Sequence, residues 1–312
     1  MADKPSRALV LYGDGLARFI DPSHNHLHSL ASKASCGFLS LPNAPPSESE
    51  DERVVREFAV LLDACEAHLD KSGNTAKMPT IDERFMGMKA AIITNNPSLK
   101  SFGAKIGCSV LEFDDLMKNL PCLAELPADV VASKLLNLLG FKEGKTLEIS
   151  EYDLIFVHIG DGEKVNGERN KAVADDTVYV NALVGGIVQI AQPGSEISSR
   201  LHLSLVMSYG NVPEDNDPKL SVLINKDEKN SDLSVLFPRQ SYTVRGENPR
   251  KDVRHHCPML IAQWQYGVTR KDMAEAFSFK DFKEHGGVLV IPADRFLHEV
   301  AFKLWKAPKY GA

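Results

Sequence analysis

The sequence predicts an α/β fold with a mostly parallel central sheet covered by helices on both faces. Two observations carry that expectation. Short apolar runs alternate along the chain with stretches of helical periodicity, the pattern of strands joined by crossover helices. The runs are also rich in consecutive Val, Ile and Leu. A strand with one wet face would alternate apolar and polar residues, so each strand is expected to be buried on both sides.

In chain order the expected strands are "ALVLY" (8–12), "AAIIT" (90–94), "DLIFVHI" (153–159), "LSLVMS" (203–208), "KLSVLI" (219–224), "PMLIAQW" (258–264) and "GVLVIP" (287–292). Between them the periodicity predicts helices over 52–69, 97–106, 129–139, 170–192 and 293–306. In the first, Val54, Val55, Phe58, Leu61, Leu62 and Cys65 recur at helical spacing. In the last, Phe296, Leu297, Val300, Ala301 and Leu304 form one stripe. Three segments break the pattern and read as loops: "LPNAPPSESEDE" (41–52), "NVPEDNDPK" (211–219) and "PRQSYTVRGENPRKDVRHH" (238–256).

Composition narrows the function classes. Hydrophobic residues make up 43% of the 312 and charged residues 25%, enough apolar material for a large core. No apolar run reaches the roughly 18 to 20 residues that a membrane span needs, so a soluble protein without a membrane partner is expected. The net charge of −6 argues against a general nucleic-acid surface. The start, "MADKPSRALVLY", shows neither a secretory nor a transit pattern, and the expected location is cytoplasmic. Cys36, Cys65, Cys108, Cys122 and Cys257 are widely spaced with no Cys-x-x-Cys pair, which fits small buried hydrophobes better than a zinc ribbon or a disulfide framework.

Several residues stand where chemistry could be done. Asp14, in the Gly-Asp-Gly after the first apolar run, is at the carboxyl end of an expected strand, where open α/β sheets place their sites. The same tripeptide is also ordinary turn chemistry. His24, His26 and His28 alternate, which suits metal binding on a strand and a polar helix start otherwise. The 238–256 segment gathers Arg239, Arg245, Arg250, Lys251, Arg254, His255 and His256, either an anion-binding element or an exposed basic loop.

Five segments in order, "ALVLYGDGLA" (8–17), "HNHLHSLASKASCGFL" (24–39), "MKAAIITNNPSLKSFGAKIGCSVLE" (88–112), "YDLIFVHIGDGEKVNGE" (152–168) and "LHLSLVMSYGNVP" (201–213), give the chain a resemblance to the cofactor-independent phosphoglycerate mutases, most closely their archaeal-type branch. That family belongs to the alkaline-phosphatase-like superfamily. The resemblance implies an alkaline-phosphatase-like three-layer sandwich with a mostly parallel central sheet. It also implies two divalent metals, usually manganese or zinc, held by Asp and His at strand ends, with a serine nucleophile between them.

Carried over residue by residue, Asp14 matches the first ligand and Asp161 the opening of the Asp-x-x-x-His motif, whose His position holds Val165. The family's Asp-His pair falls on Ser208 and Tyr209, and His255 or His256 stands for its closing histidine. Ser47 and Ser49 are the nucleophile candidates by position. The interval between Glu52 and Met88 is too short for the inserted domain that clamps the mutases' substrate, so residues 1–312 are expected to form one domain lacking it.

The expected function is a mutase-like protein that is catalytically degenerate. It would keep a cleft for a phosphorylated small molecule or a protein partner, with Arg245, Arg250 and Arg254 as substrate contacts and no cofactor. Two alternatives stand beside it. One is an active metal-dependent mutase or phosphatase with a rearranged site, in which Asp14, Asp161, His255 and His256 hold a single Mn, Zn or Mg ion. The other is a scaffold subunit of a larger assembly.

Overall fold

A computed structural model describes residues 6–45, 47–69, 78–117, 127–160, 169–211, 218–222, 244–245, 248–249, 252–287 and 289–308. The elements in chain order begin with β1 (Arg7–Gly13), a 3₁₀ turn (Leu16–Phe19), α1 (Asn25–Ala31), β2 (Ser35–Pro42), α2 (Glu50–Leu61), α3 (Cys65–Leu69) and α4 (Ile81–Arg84). Next come β3 (Ala90–Ile93), α5 (Pro97–Lys105), β4 (Ser109–Leu111), α6 (Ala128–Leu138), the short β5 (Phe141–Lys142) and β6 (Lys145–Thr146), and β7 (Leu154–Ile159). The rest are α7 (Arg169–Ile190), α8 (Glu196–Arg200), β8 (Leu201–Met207), β9 (Val244–Arg245), β10 (Asn248–Pro249), β11 (Val253–Trp264), α9 (Phe279–His285), β12 (Leu289–Pro292) and α10 (Phe296–Lys303).

Eight of the described strands form one sheet in the order β12-β2-β11-β8-β1-β7-β3-β4. Within it only β11 runs antiparallel to its neighbours, β2 and β8, while the other pairings are parallel. The expected architecture, an α/β fold with a mostly parallel central sheet, is what the chain forms. Successive residues of β1 enter two separate cores, as a pleated strand requires. Leu9 and Leu11 pack with α1, α6 and α7 on one side. Ala8, Val10 and Tyr12 pack with α2, α5 and α10 on the other.

The sequence expectations need four corrections. Residues 219–224 are not a strand where described: Pro218–Leu220 is a 3₁₀ turn and Ser221 makes one isolated bridge with His256. The β2 strand was not anticipated, because Ser35, Cys36 and Gly37 open it and read as a small-residue turn, yet pairing on both sides by β11 and β12 extends them. The helix expected over 52–69 begins earlier, where a capping box between Ser49 and Glu52 nucleates it, and breaks around Asp63, whose φ is 48°. The 238–256 segment is not one loop, since Arg254 and the two histidines after it belong to the 12-residue β11.

The α2 helix is the unusual piece of this packing. Every residue from Arg53 to Leu61 is buried, including Arg53, Arg56 and Glu57. Charged groups there have no water to turn to. They must pair within the protein.

Candidate functional site

Parallel register builds the site. The last residues of β1, β7 and β8 are in line, Gly13 opposite both Ile159 and Met207, so Asp14, Gly160 and Ser208 emerge side by side at one sheet edge. The Asp14 N–H donates to Ile159 O (2.8 Å) and the Ser208 N–H to Gly13 O (2.9 Å), which carries the ladder one residue past the strands. Ser208 Oγ donates to Asp14 Oδ1 (3.1 Å) and accepts the Gly15 N–H (2.9 Å).

Gly160 sets the closeness of this edge. Its φ is +127°, and a Cβ there would stand 2.7 Å from Asp14 O and 3.0 Å from Asp14 Cβ. Gly160→Ala is therefore expected to lower stability by about 1–3 kcal/mol, the cost of a disallowed backbone plus a displaced turn. Urea denaturation checks this, and an unchanged midpoint would contradict the close approach.

The two oxygens of Asp14 face α2. Arg53 Nη1 lies 2.8 Å from Oδ1 and Nη2 donates to Oδ2 at 2.8 Å, a bidentate pair with the side chains 5% and 3% exposed. Arg53 Nη1 also reaches Glu57 Oε2 (3.0 Å), and Nη2 reaches Glu50 Oε1 (2.7 Å). Tyr12 Oη donates to the same Glu57 Oε2 (2.8 Å). On the other side His158, from β7, shares its Nδ1 with Thr94 Oγ1 (3.0 Å). Its Nε2 stands 3.9 Å from Asp14 Oδ2, too far for a hydrogen bond, and has no other partner.

The electrostatics follow from burial and charge. Burial works against the Asp14 carboxylate, but the Arg53 guanidinium outweighs it and holds the group well below the usual carboxylate range. Burial likewise works against the Arg53 cation, and Asp14 with Glu57 overcomes it, so Arg53 is more firmly protonated than in water. Glu57 goes the other way: burial, with Asp14 nearby, lifts it against the pull of Arg53.

This arrangement does not fit the two-metal centre that the resemblance implies. Asp14, its first ligand, spends both oxygens on a guanidinium and accepts a hydroxyl as well. Ser208 and Tyr209 occupy the places of an Asp-His pair and are weak donors to Mn or Zn. Among the described residues no group of three or more His, Cys, Asp or Glu is placed to hold a metal ion.

The other sequence candidates fall as follows. Ser47 is exposed after the Pro-rich turn. Ser49 is also exposed and caps α2, its Oγ accepting the Glu52 N–H (3.3 Å) and donating to Glu52 Oε2 (3.1 Å). That hydroxyl is committed to the helix start. Asp161 and Arg250 lie outside the described residues, and only the backbones of Arg245 and His255 are described. His256 is in β11 with its Nδ1 buried and unpartnered. Arg254 is partly buried, with Nη2 donating to Cys257 O (3.0 Å).

The alternating histidines mark a helix start. His24 Nδ1 accepts the Asp21 N–H (3.0 Å), His28 Nδ1 accepts the Phe277 N–H (3.0 Å), and the His26 ring packs on Gly185. Arg53, Glu57 and His158 were missed by the sequence reading. The available signal was the charged i, i+4 pair Arg53 and Glu57 inside the run 53–61, whose other positions except Arg56 are apolar.

Neither a protein-family model nor a curated protein matches this chain. Among solved structures it is similar to the PH0037 protein from Pyrococcus horikoshii, with a TM-score of 0.53 and 13% identity over 99% of both chains. It is also similar, at a TM-score of 0.48 and 10% identity, to the cofactor-independent phosphoglycerate mutase from Thermoplasma acidophilum, covering 96% of this chain and 100% of that one. A protein in the alkaline phosphatase superfamily from Vibrio parahaemolyticus gives the same score and identity over 85% of this chain and 61% of that one. At 13% identity, what this chain has in common with PH0037 is the fold, an α/β architecture with a mostly parallel central sheet.

Proposed function

We propose that this chain is a mutase-like protein, a single alkaline-phosphatase-like domain over residues 1–312 without the inserted mutase domain. In this reading it has lost phosphoryl-transfer chemistry and keeps a cleft for a phosphorylated metabolite or a protein partner. The observation that carries the reading is the bidentate Arg53–Asp14 pair, buried at the edge where the resembled enzymes hold their metals. A guanidinium neutralises the carboxylate as a cation would, but it offers no open coordination position and activates no hydroxyl. The nucleophile candidate Ser49 supports the same reading, since its hydroxyl donates to Glu52 as part of the helix cap.

The test is an assay of phosphoglycerate mutase and phosphatase activity with added Mn²⁺, Zn²⁺ or Mg²⁺. No turnover above background is expected. Metal-dependent turnover that is abolished by Asp14→Asn would overturn the proposal and establish an active enzyme with a rearranged site.

A further inference from the structure

The β11 strand carries an irregularity at the same sheet edge. Its pairing with β2 shifts from Arg254 opposite Leu41 to Met259 opposite Leu39, so four residues, 255–258, stand against the single Ser40. The β8 partner ends where this bulge begins, Leu260 pairing with Met207, just before Ser208 and Tyr209. Cys257 within the bulge has a φ of 45°, a left-handed conformation that a non-glycine residue adopts at a cost. Bulges of this kind re-aim side chains next to sites.

What the bulge aims is Arg254. Its Nη2 is pinned to Cys257 O at 3.0 Å, its Nε is buried without a partner, and among the described residues no carboxylate lies within ion-pair distance of it. Its two cationic neighbours differ. Arg53 is held by Asp14, Glu50 and Glu57, and Arg56 by Glu48 at 2.7 Å. Burial works against the Arg254 cation, Glu57 offsets part of that, and Arg56 and Arg53 add to the strain. A guanidinium so placed gains from an incoming anion that takes two of its N–H groups together, the fork geometry that suits an oxyanion.

We infer that Arg254, held to Cys257 O within the β11 bulge, is the contact for the phosphoryl group of a small phosphate monoester. The inference rests on the ligand-binding reading above and locates its site.

Titration calorimetry with inorganic phosphate, 3-phosphoglycerate and glycerate tests it on the full chain, in wild type, Arg254→Ala and Arg254→Lys. Circular dichroism and thermal melts establish that each variant is folded. The two phosphate-bearing probes are expected to bind wild type and glycerate is not. Arg254→Ala should weaken binding at least about tenfold, the loss expected for a charge-assisted hydrogen bond. Arg254→Lys keeps the charge but loses the fork, and should weaken binding severalfold. It carries the comparison if the alanine variant does not fold. Unchanged affinity for 3-phosphoglycerate in a folded Arg254 variant overturns this inference and leaves the binding reading standing. Glycerate binding as tightly as 3-phosphoglycerate overturns the phosphoryl assignment. No heat with any probe in wild type overturns both this inference and the metabolite-binding half of the reading it rests on.

Discussion

Replacing Arg53 with Met is expected to destabilise the protein by about 3–5 kcal/mol, the range for removing one partner from a buried ion pair. The loss is large because three carboxyl groups depend on this cation. Asp14 and Glu57 are buried and bonded to it, and Glu50 joins them from the first turn of α2. Without the guanidinium, Asp14 and Glu57 face each other with little access to water, and their protonated forms become favoured. The deficit relative to wild type should accordingly shrink as pH falls from 7 towards 4. Adding Asp14→Asn to the Met variant should recover a substantial part of the loss, since it removes the uncompensated charge. Urea denaturation of the three proteins decides this: a loss below about 1 kcal/mol for the single variant would mean the pair contributes no more than a surface salt bridge.

Acidification is expected to weaken the fold through His202. This residue of β8 is fully buried, its Nε2 facing Ser204 Oγ and Gln263 Nε2 at 3.3 Å each, while Nδ1 has no partner. Burial, with Lys303 adding, pushes the imidazole down to about 3. The unfolded chain takes up this proton near pH 6.5 and the folded protein resists it until about pH 3, so the unfolded state binds more protons throughout that window. The stabilisation is therefore complete above pH 6.5. It falls by roughly 1.4 kcal/mol per pH unit below that, an order of 5 kcal/mol by pH 3. His202→Gln, which cannot ionise, should flatten the dependence of the urea midpoint between pH 6 and 4.5, leaving only the part that the carboxylates contribute. Parallel curves for the two proteins would show that this histidine is not the acid-sensitive group.

The largest elements were legible because their signals are local. The runs 8–12, 90–94 and 153–159 are largely apolar at consecutive positions, and such short runs, too brief for a buried helix, pair their backbone in a covered sheet. Asp14 was legible as a strand-end residue for the same reason. The β2 strand was not, since nothing within Ser35–Pro42 announces it and the partners that extend it come from residues 253–263 and 289–292. The bulge at 255–258 was equally hidden, being a mismatch of register between two strands far apart in sequence.

By itself the sequence determined an α/β class, a mostly parallel sheet and the placement of an acidic residue at the end of its first strand, all of them consequences of local hydrophobicity and turn chemistry. What Asp14 does was decided by tertiary structure alone. Its partner Arg53 is 39 residues away, on a helix buried on nearly every side, and Ser208 is 194 residues away, at the end of a neighbouring strand. A carboxylate at such an edge can hold a metal, cap a turn or bind a guanidinium with equal local propensity. Which of these it does depends on the charge that packing carries to within hydrogen-bond distance, and that distance exists only in the folded chain.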